Sequence, residues 1–130
     1  MKFINTYLFI FVLCICGCST YPEPKEFTVN RSYLPTLITA NIGDAIIVEV
    51  KTNASTGYRW FMTGADKVVL LESRNTTDVA NNNKLIIGKA NTEKITLRCV
   101  NRGICVVYFE YKRPWEKTCV DKFEIKIKVE

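Results

Sequence analysis

Three stretches of this chain alternate apolar and polar residues with a period of two, and no stretch sustains a period of 3.6. In Ala45-Ile46-Ile47-Val48-Glu49-Val50-Lys51, the residues Ile46, Val48 and Val50 alternate with Ile47, Glu49 and Lys51. In 93–100, Ile95, Leu97 and Cys99 alternate with Lys94, Thr96 and Arg98; in 121–129, Phe123, Ile125, Ile127 and Val129 share one side. Only an extended chain places every second side chain on the same face, so each stretch is predicted to be a strand with one buried side. Further strands are expected at 25–30, 36–40, 58–61, 68–72 and 104–112. The polar run 73–83 reads as a surface loop, and 84–88 is a short apolar run that stops at Gly88. Turn signals recur about every ten residues. About seven to eight short strands in roughly 110 residues predict an all-β fold, an immunoglobulin-like β-sandwich, whose loops gather at its two ends.

The 130 residues suffice for one domain of ordinary size. They include no histidine, which removes Ser-His and Cys-His nucleophilic mechanisms and histidine-ligated zinc. No glycine-rich phosphate loop and no zinc-spaced cysteine pair is present. The chain is therefore not read as an enzyme, and no cofactor or metal is expected. Past Lys2 there remain 17 bases against 13 acids, about +4, scattered over the strands as the solvated face of a sheet. Basic residues interleaved with stacking aromatics are missing, so a nucleic-acid partner is not expected. The domain is expected to be a monomer.

Residues 1–17 read as a signal peptide. Lys2 supplies a short positive region, and 7–15 is an apolar run too short to span a bilayer as a stable helix. The run ends in Ile15-Cys16-Gly17-Cys18-Ser19, which resembles the lipobox of bacterial lipoproteins. That resemblance implies lipidation of Cys18 and a lipid anchor to the cell envelope, the chain's one expected contact with a membrane. A plain secretory signal is the alternative, and either makes the domain extracytoplasmic. Residues 18–25, with Pro22-Glu23-Pro24, read as an extended tether to a domain at 26–130. Export permits disulfides. Cys99 and Cys105 lie symmetrically about Arg102, so a hairpin there would set them opposite one another as a possible pair. Other pairings with Cys119 stay open.

Two loop sequences stand out. Asn53-Ala54-Ser55-Thr56-Gly57 separates two strands and reads as a structured turn, since Asn, Ser and Thr bond their own backbone and Gly57 accepts a positive φ. Tyr58 and Trp60 share a strand face below it, and Trp60 is read as core. Arg113-Pro114-Trp115 leaves the strand at 104–112; Pro114 restricts Arg113 to extended backbone and displays a guanidinium and an indole in a fixed relation. Arg and Trp are the residues most often found as interface anchors.

Asn53-Ala54-Ser55-Thr56-Gly57-Tyr58-Arg59-Trp60, followed by Tyr111-Lys112-Arg113-Pro114-Trp115, resembles the chagasin family of cysteine-peptidase inhibitors over about residues 40–129. The resemblance implies an immunoglobulin-like sandwich whose three adjacent loops reversibly plug the cleft of a papain-like cysteine peptidase. Asn53, Ala54, Ser55, Thr56 and Gly57 would form the central wedge, with Ser55 and Thr56 over the catalytic thiol and histidine. Gly88, Lys89, Ala90 and Asn91 would form the middle loop. Arg113, Pro114 and Trp115, within the loop 113–116, would press on the rim of the cleft. Three departures from the family pattern are visible. Ala54 stands where the family has proline, only Gly88 of the middle-loop glycines is kept, and Asn53-Ala54-Ser55 is a glycosylation sequon, as are Asn30-Arg31-Ser32 and Asn75-Thr76-Thr77. A bacterial source, which the lipobox favours, removes the conflict between a glycan on Asn53 and a binding surface. The alternative function is a non-inhibitory immunoglobulin-like module of the envelope with another partner.

Overall fold

The computed structural model describes residues 22–77 and 90–130. Eight strands follow in order: β1 Glu26–Asn30, β2 Ile38–Ala40, β3 Ala45–Thr52, β4 Arg59–Thr63, β5 Val69–Thr77, β6 Asn91–Cys99, β7 Gly103–Lys112 and β8 Asp121–Val129. They form two four-stranded sheets, β1-β3-β6-β5 and β2-β8-β7-β4. β1 runs parallel to β3 and β2 parallel to β8, while the remaining pairs are antiparallel. The all-β sandwich predicted by the alternating stretches is the observed fold.

The inward residues are those the alternation selects. Ile46, Val48 and Val50 of β3, Ile95, Leu97 and Cys99 of β6, and Ile125, Ile127 and Val129 of β8 are buried in one core with Val107 and Phe109 of β7. Burying side chains of this size contributes about 1.5–3 kcal/mol each relative to leaving them in water. The two inner faces meet because each is continuously apolar, which fixes register: a one-residue slip would turn every one of these side chains outward.

Two sequence expectations are corrected. β5 continues through Ser73 to Thr77, where a surface loop was expected. It is an edge strand wetted on both faces, so its side chains carry no alternation, and its backbone pairs with β6 past an irregularity between Leu71 and Ser73. The hairpin around Arg102 does not form, because β6 and β7 belong to different sheets. Val100 N–H and Asn101 N–H both donate to Val68 O, at 2.9 and 3.3 Å, and hold the crossing in place. Cys99 and Cys105 lie on opposing sheets, and both are buried, free thiols in this structure. The apolar run 84–88, Cys18 and the expected signal peptide lie outside the described residues.

The strand directions give the sandwich two distinct poles. β1, β3 and β5 end, and β4, β6 and β8 begin, at one pole. The opposite pole holds the turn 41–44. There Asp44, which is buried, accepts hydrogen bonds from Asn41 N–H and Lys25 N–H, both at 2.8 Å.

Candidate binding site

A column of aromatic rings leads from the core to the first pole. Phe109 and Phe123 stack at 4.7 Å between centroids, Trp60 meets Phe123 edge-on at 5.3 Å, and Tyr111 lies 5.0 Å from Trp60. Tyr58 then stacks on Tyr111 at 5.4 Å, and the Arg113 guanidinium caps Tyr58 at 4.5 Å. Aromatic pairs of this geometry add about 0.5–1.5 kcal/mol each beyond their burial. Trp60 is 3% exposed and its indole N–H donates to Lys51 O at 2.9 Å, so it is a core residue as predicted. The column gives both site loops a rigid base.

The connection between β3 and β4 is a turn closed by its own side chains. Asn53 Oδ1 accepts from Ser55 N–H at 3.2 Å and from Ser55 Oγ–H at 2.6 Å. Asn53 O accepts from Thr56 N–H at 3.2 Å and from Thr56 Oγ1–H at 2.7 Å. Ala54–Thr56 thereby form one 3-10 turn, and Gly57 leaves it at φ +76°, a region open to glycine and strained for other residues. This is how the loop is held without the proline of the family pattern: the side chains of Asn53 and Thr56 restrict the backbone that a proline ring would have restricted. Ser55 and Thr56 remain exposed at the tip.

The connection between β7 and β8 reaches across to it. Arg113 Nε donates to Thr56 O at 3.1 Å, and its Nη1 pairs with Glu116 Oε1 at 3.2 Å. Glu116 N–H closes the turn onto Arg113 O at 3.1 Å. Trp115 is 73% exposed, and one edge of its indole covers Gly57; a Cβ added to Gly57 would lie 3.3 Å from Trp115 Cη2. From below, the Tyr111 hydroxyl accepts from Asn53 N–H at 3.1 Å. The two loops are thus one body, joined at Asn53, Thr56 and Gly57.

Of the sequence-predicted site residues, Asn53, Ser55, Thr56, Gly57, Arg113 and Trp115 come together at this pole, with Pro114 exposed between the last two. Arg113 bonds its own wedge while its side chain stays 36% exposed. Of the middle-loop residues, Ala90 is exposed and Asn91 opens β6 opposite Thr52, beside the wedge. Gly88 and Lys89 lie outside the described residues. Sequence reasoning places Glu116 within the loop 113–116 without a role of its own, and gives none to Tyr111. The available signal for Tyr111 is its parity with Val107 and Phe109, which makes it the last inward side chain of β7 directly below the loops.

The fold is shared with solved structures. It superposes on the crystal structure of the cysteine protease inhibitor EhICP2 from Entamoeba histolytica with a TM-score of 0.74 at 19% identity, covering 85% of this chain and 100% of that one. The solution structure of Amebosin gives 0.61 at 22% identity, with 82% and 99% covered. PbICP-C, solved in complex with falcipain-2, gives 0.50 at 16% identity, with 83% and 92% covered. In sequence the chain is 29% identical over 109 residues to Amoebiasin-2 of Entamoeba histolytica, which spans 84% of this chain and 85% of the relative. Fold and loops together define a two-sheet sandwich with joined loops at one pole. Residues 39–129 fit the description chagasin family peptidase inhibitor I42, and the chain belongs to that family: it is a peptidase inhibitor and not an enzyme.

Proposed function

We infer that the pole built from residues 53–57 and 113–116 closes the active-site cleft of a papain-like cysteine peptidase, reversibly and without chemistry of its own. The observation that carries this reading is the fusion of two loops, 57 residues apart in sequence, into one projecting wedge through the Arg113–Thr56 hydrogen bond. Ser55 and Thr56 at its tip are small enough to enter a narrow cleft, and Trp115 beside them is a large exposed ring of the kind that anchors interfaces. Because the wedge is already ordered, association avoids about 0.5–1.5 kcal/mol for each rotamer-rich side chain that would otherwise have to be immobilised. The relative solved with falcipain-2 supports the same partner class for this chain. Ala90 and Asn91, at the same pole, are proposed to complete the contact surface with Gly88 and Lys89. We also propose that the domain works outside the cytoplasm on the tether 18–25, with Cys18 as its lipid anchor; metabolic labelling with a radioactive fatty acid, lost in Cys18→Ser, tests this.

The inhibitory reading is tested by titrating the protein against papain and a cathepsin L-like enzyme on a small fluorogenic peptide. Stoichiometric loss of activity is expected. Trp115→Ala, which removes an exposed ring, should weaken inhibition by about thirtyfold or more, the loss of one interface anchor, with little change in stability. No inhibition by the parent at micromolar concentration would favour a non-inhibitory binding module.

A further inference from the structure

A wedge that enters a cysteine peptidase brings its own peptide bonds to a thiolate. Attack on the Thr56 carbonyl carbon would form an acyl-thioester and break the C–N bond to Gly57. The Gly57 amine would leave with a proton from the enzyme's histidine, and water would then release the Thr56 carboxylate and restore the thiol. This route needs the carbonyl oxygen to turn into the enzyme's oxyanion hole and accept hydrogen bonds there.

Two of the wedge carbonyls, including the one at Thr56–Gly57, are occupied from within. Asn53 O accepts twice from Thr56, through N–H and Oγ1–H. Thr56 O accepts from Arg113 Nε at 3.1 Å. The guanidinium is itself fixed, since Glu116 holds its Nη1 and it lies 4.5 Å above Tyr58 and 6.0 Å from the Trp115 ring. The Ala54–Thr56 turn also keeps the chain out of the extended form.

We propose that Arg113 keeps this loop an inhibitor rather than a substrate: by holding the Thr56 carbonyl oxygen, it denies the Thr56–Gly57 bond the geometry that cleavage requires. This inference rests on the peptidase reading above and makes Arg113 a positioning residue that acts through Thr56. Nothing in it requires Arg113 to touch the enzyme.

The test incubates the full chain and its Arg113→Ala and Arg113→Lys variants with excess papain, following intact mass and residual enzyme activity together. The parent should block its stoichiometric share of the enzyme and stay whole. Arg113→Ala should be cut between Thr56 and Gly57, and whatever inhibition it retains should decay as the cut chain accumulates. Cleavage should be about tenfold to a hundredfold faster than in the parent, as expected for losing a hydrogen bond to a charged group. Arg113→Lys, which keeps the charge without the planar fork, should fall between. Variants that melt like the parent yet remain uncut under excess enzyme would overturn the proposal, whether or not they still inhibit. A parent cut at Thr56–Gly57 as fast as the variants would overturn the lock alone. A parent that neither inhibits nor binds would sink both the lock and the peptidase reading.

Discussion

Two glycines with the same backbone requirement and different surroundings separate the fold from its function. Gly57 sits at φ +76° and Gly43 at φ +95°, both in the left-handed region. Alanine at either position should cost about 1–2 kcal/mol of stability for placing a Cβ there. In a domain of this size that corresponds to a fall in melting temperature of about 4–8 °C per kcal/mol. Space distinguishes them. A Cβ on Gly43 meets nothing within 4 Å, whereas one on Gly57 lies 3.3 Å from Trp115 Cη2. The indole is 73% exposed and can swing away at small cost to folding, but its position over the wedge is lost. Gly57→Ala should therefore weaken inhibition by about thirtyfold, the loss of one interface anchor, while Gly43→Ala inhibits like the parent. Thermal melts and inhibition titrations on both variants form the assay. Full inhibition by Gly57→Ala, or equal losses in both variants, would refute the reasoning.

The remaining predictions concern groups away from the wedge. Burial works against the Asp44 carboxylate, but the hydrogen bonds from Asn41 and Lys25 outweigh it and hold the group below its ordinary range. A depressed folded-state value means that this stabilisation is fully present above about pH 4 and is lost as the pH falls through the lower folded value. Melting temperature should thus decline in acid, and less steeply in Asp44→Asn; parallel declines in the two would contradict this. Burial pushes the Cys99 and Cys105 thiols up, while Cys119 is partly exposed. Alkylation of the native protein followed by peptide mapping should label Cys119 and spare the other two until the chain is unfolded.

Sequence was a good guide wherever one side of a strand meets the core. The alternation in 45–51, 93–99 and 121–129 follows directly from a wet face and a dry face, and each of these stretches is a strand with the expected residues inward. It failed where that contrast is absent. β5 beyond Leu71 is held by backbone pairing at a sheet edge, and its side chains carry no record of it. It failed again at the hairpin about Arg102, because a symmetric apolar segment looks the same whether the chain turns back within a sheet or crosses to the facing one. The choice is made by Val68, distant in sequence, whose carbonyl captures two amides of the crossing. At the site, the Asn53–Gly57 turn was legible because its hydrogen bonds are local. The partners of Arg113 and Tyr111 lie 57 and 58 residues away and only the fold reveals them.

The turn held by Asp44 has a consequence for how the molecule is handled. Lys25 is bound there just before β1, and Glu130 N–H bonds Ala40 O just after β8, so the chain enters and leaves the sandwich at the pole that lacks the wedge. The eight residues of β3 separate the two poles by about 26 Å. The domain is thus built as a display scaffold with its handles on one side and its working surface on the other. A bead, a fluorophore or a second copy joined next to Lys25 or Glu130 leaves residues 53–57 and 113–116 facing away from the attachment. Two such domains on one linker would present their wedges outward to separate targets, and new loop sequences can be grafted between Thr52 and Arg59 without disturbing either handle.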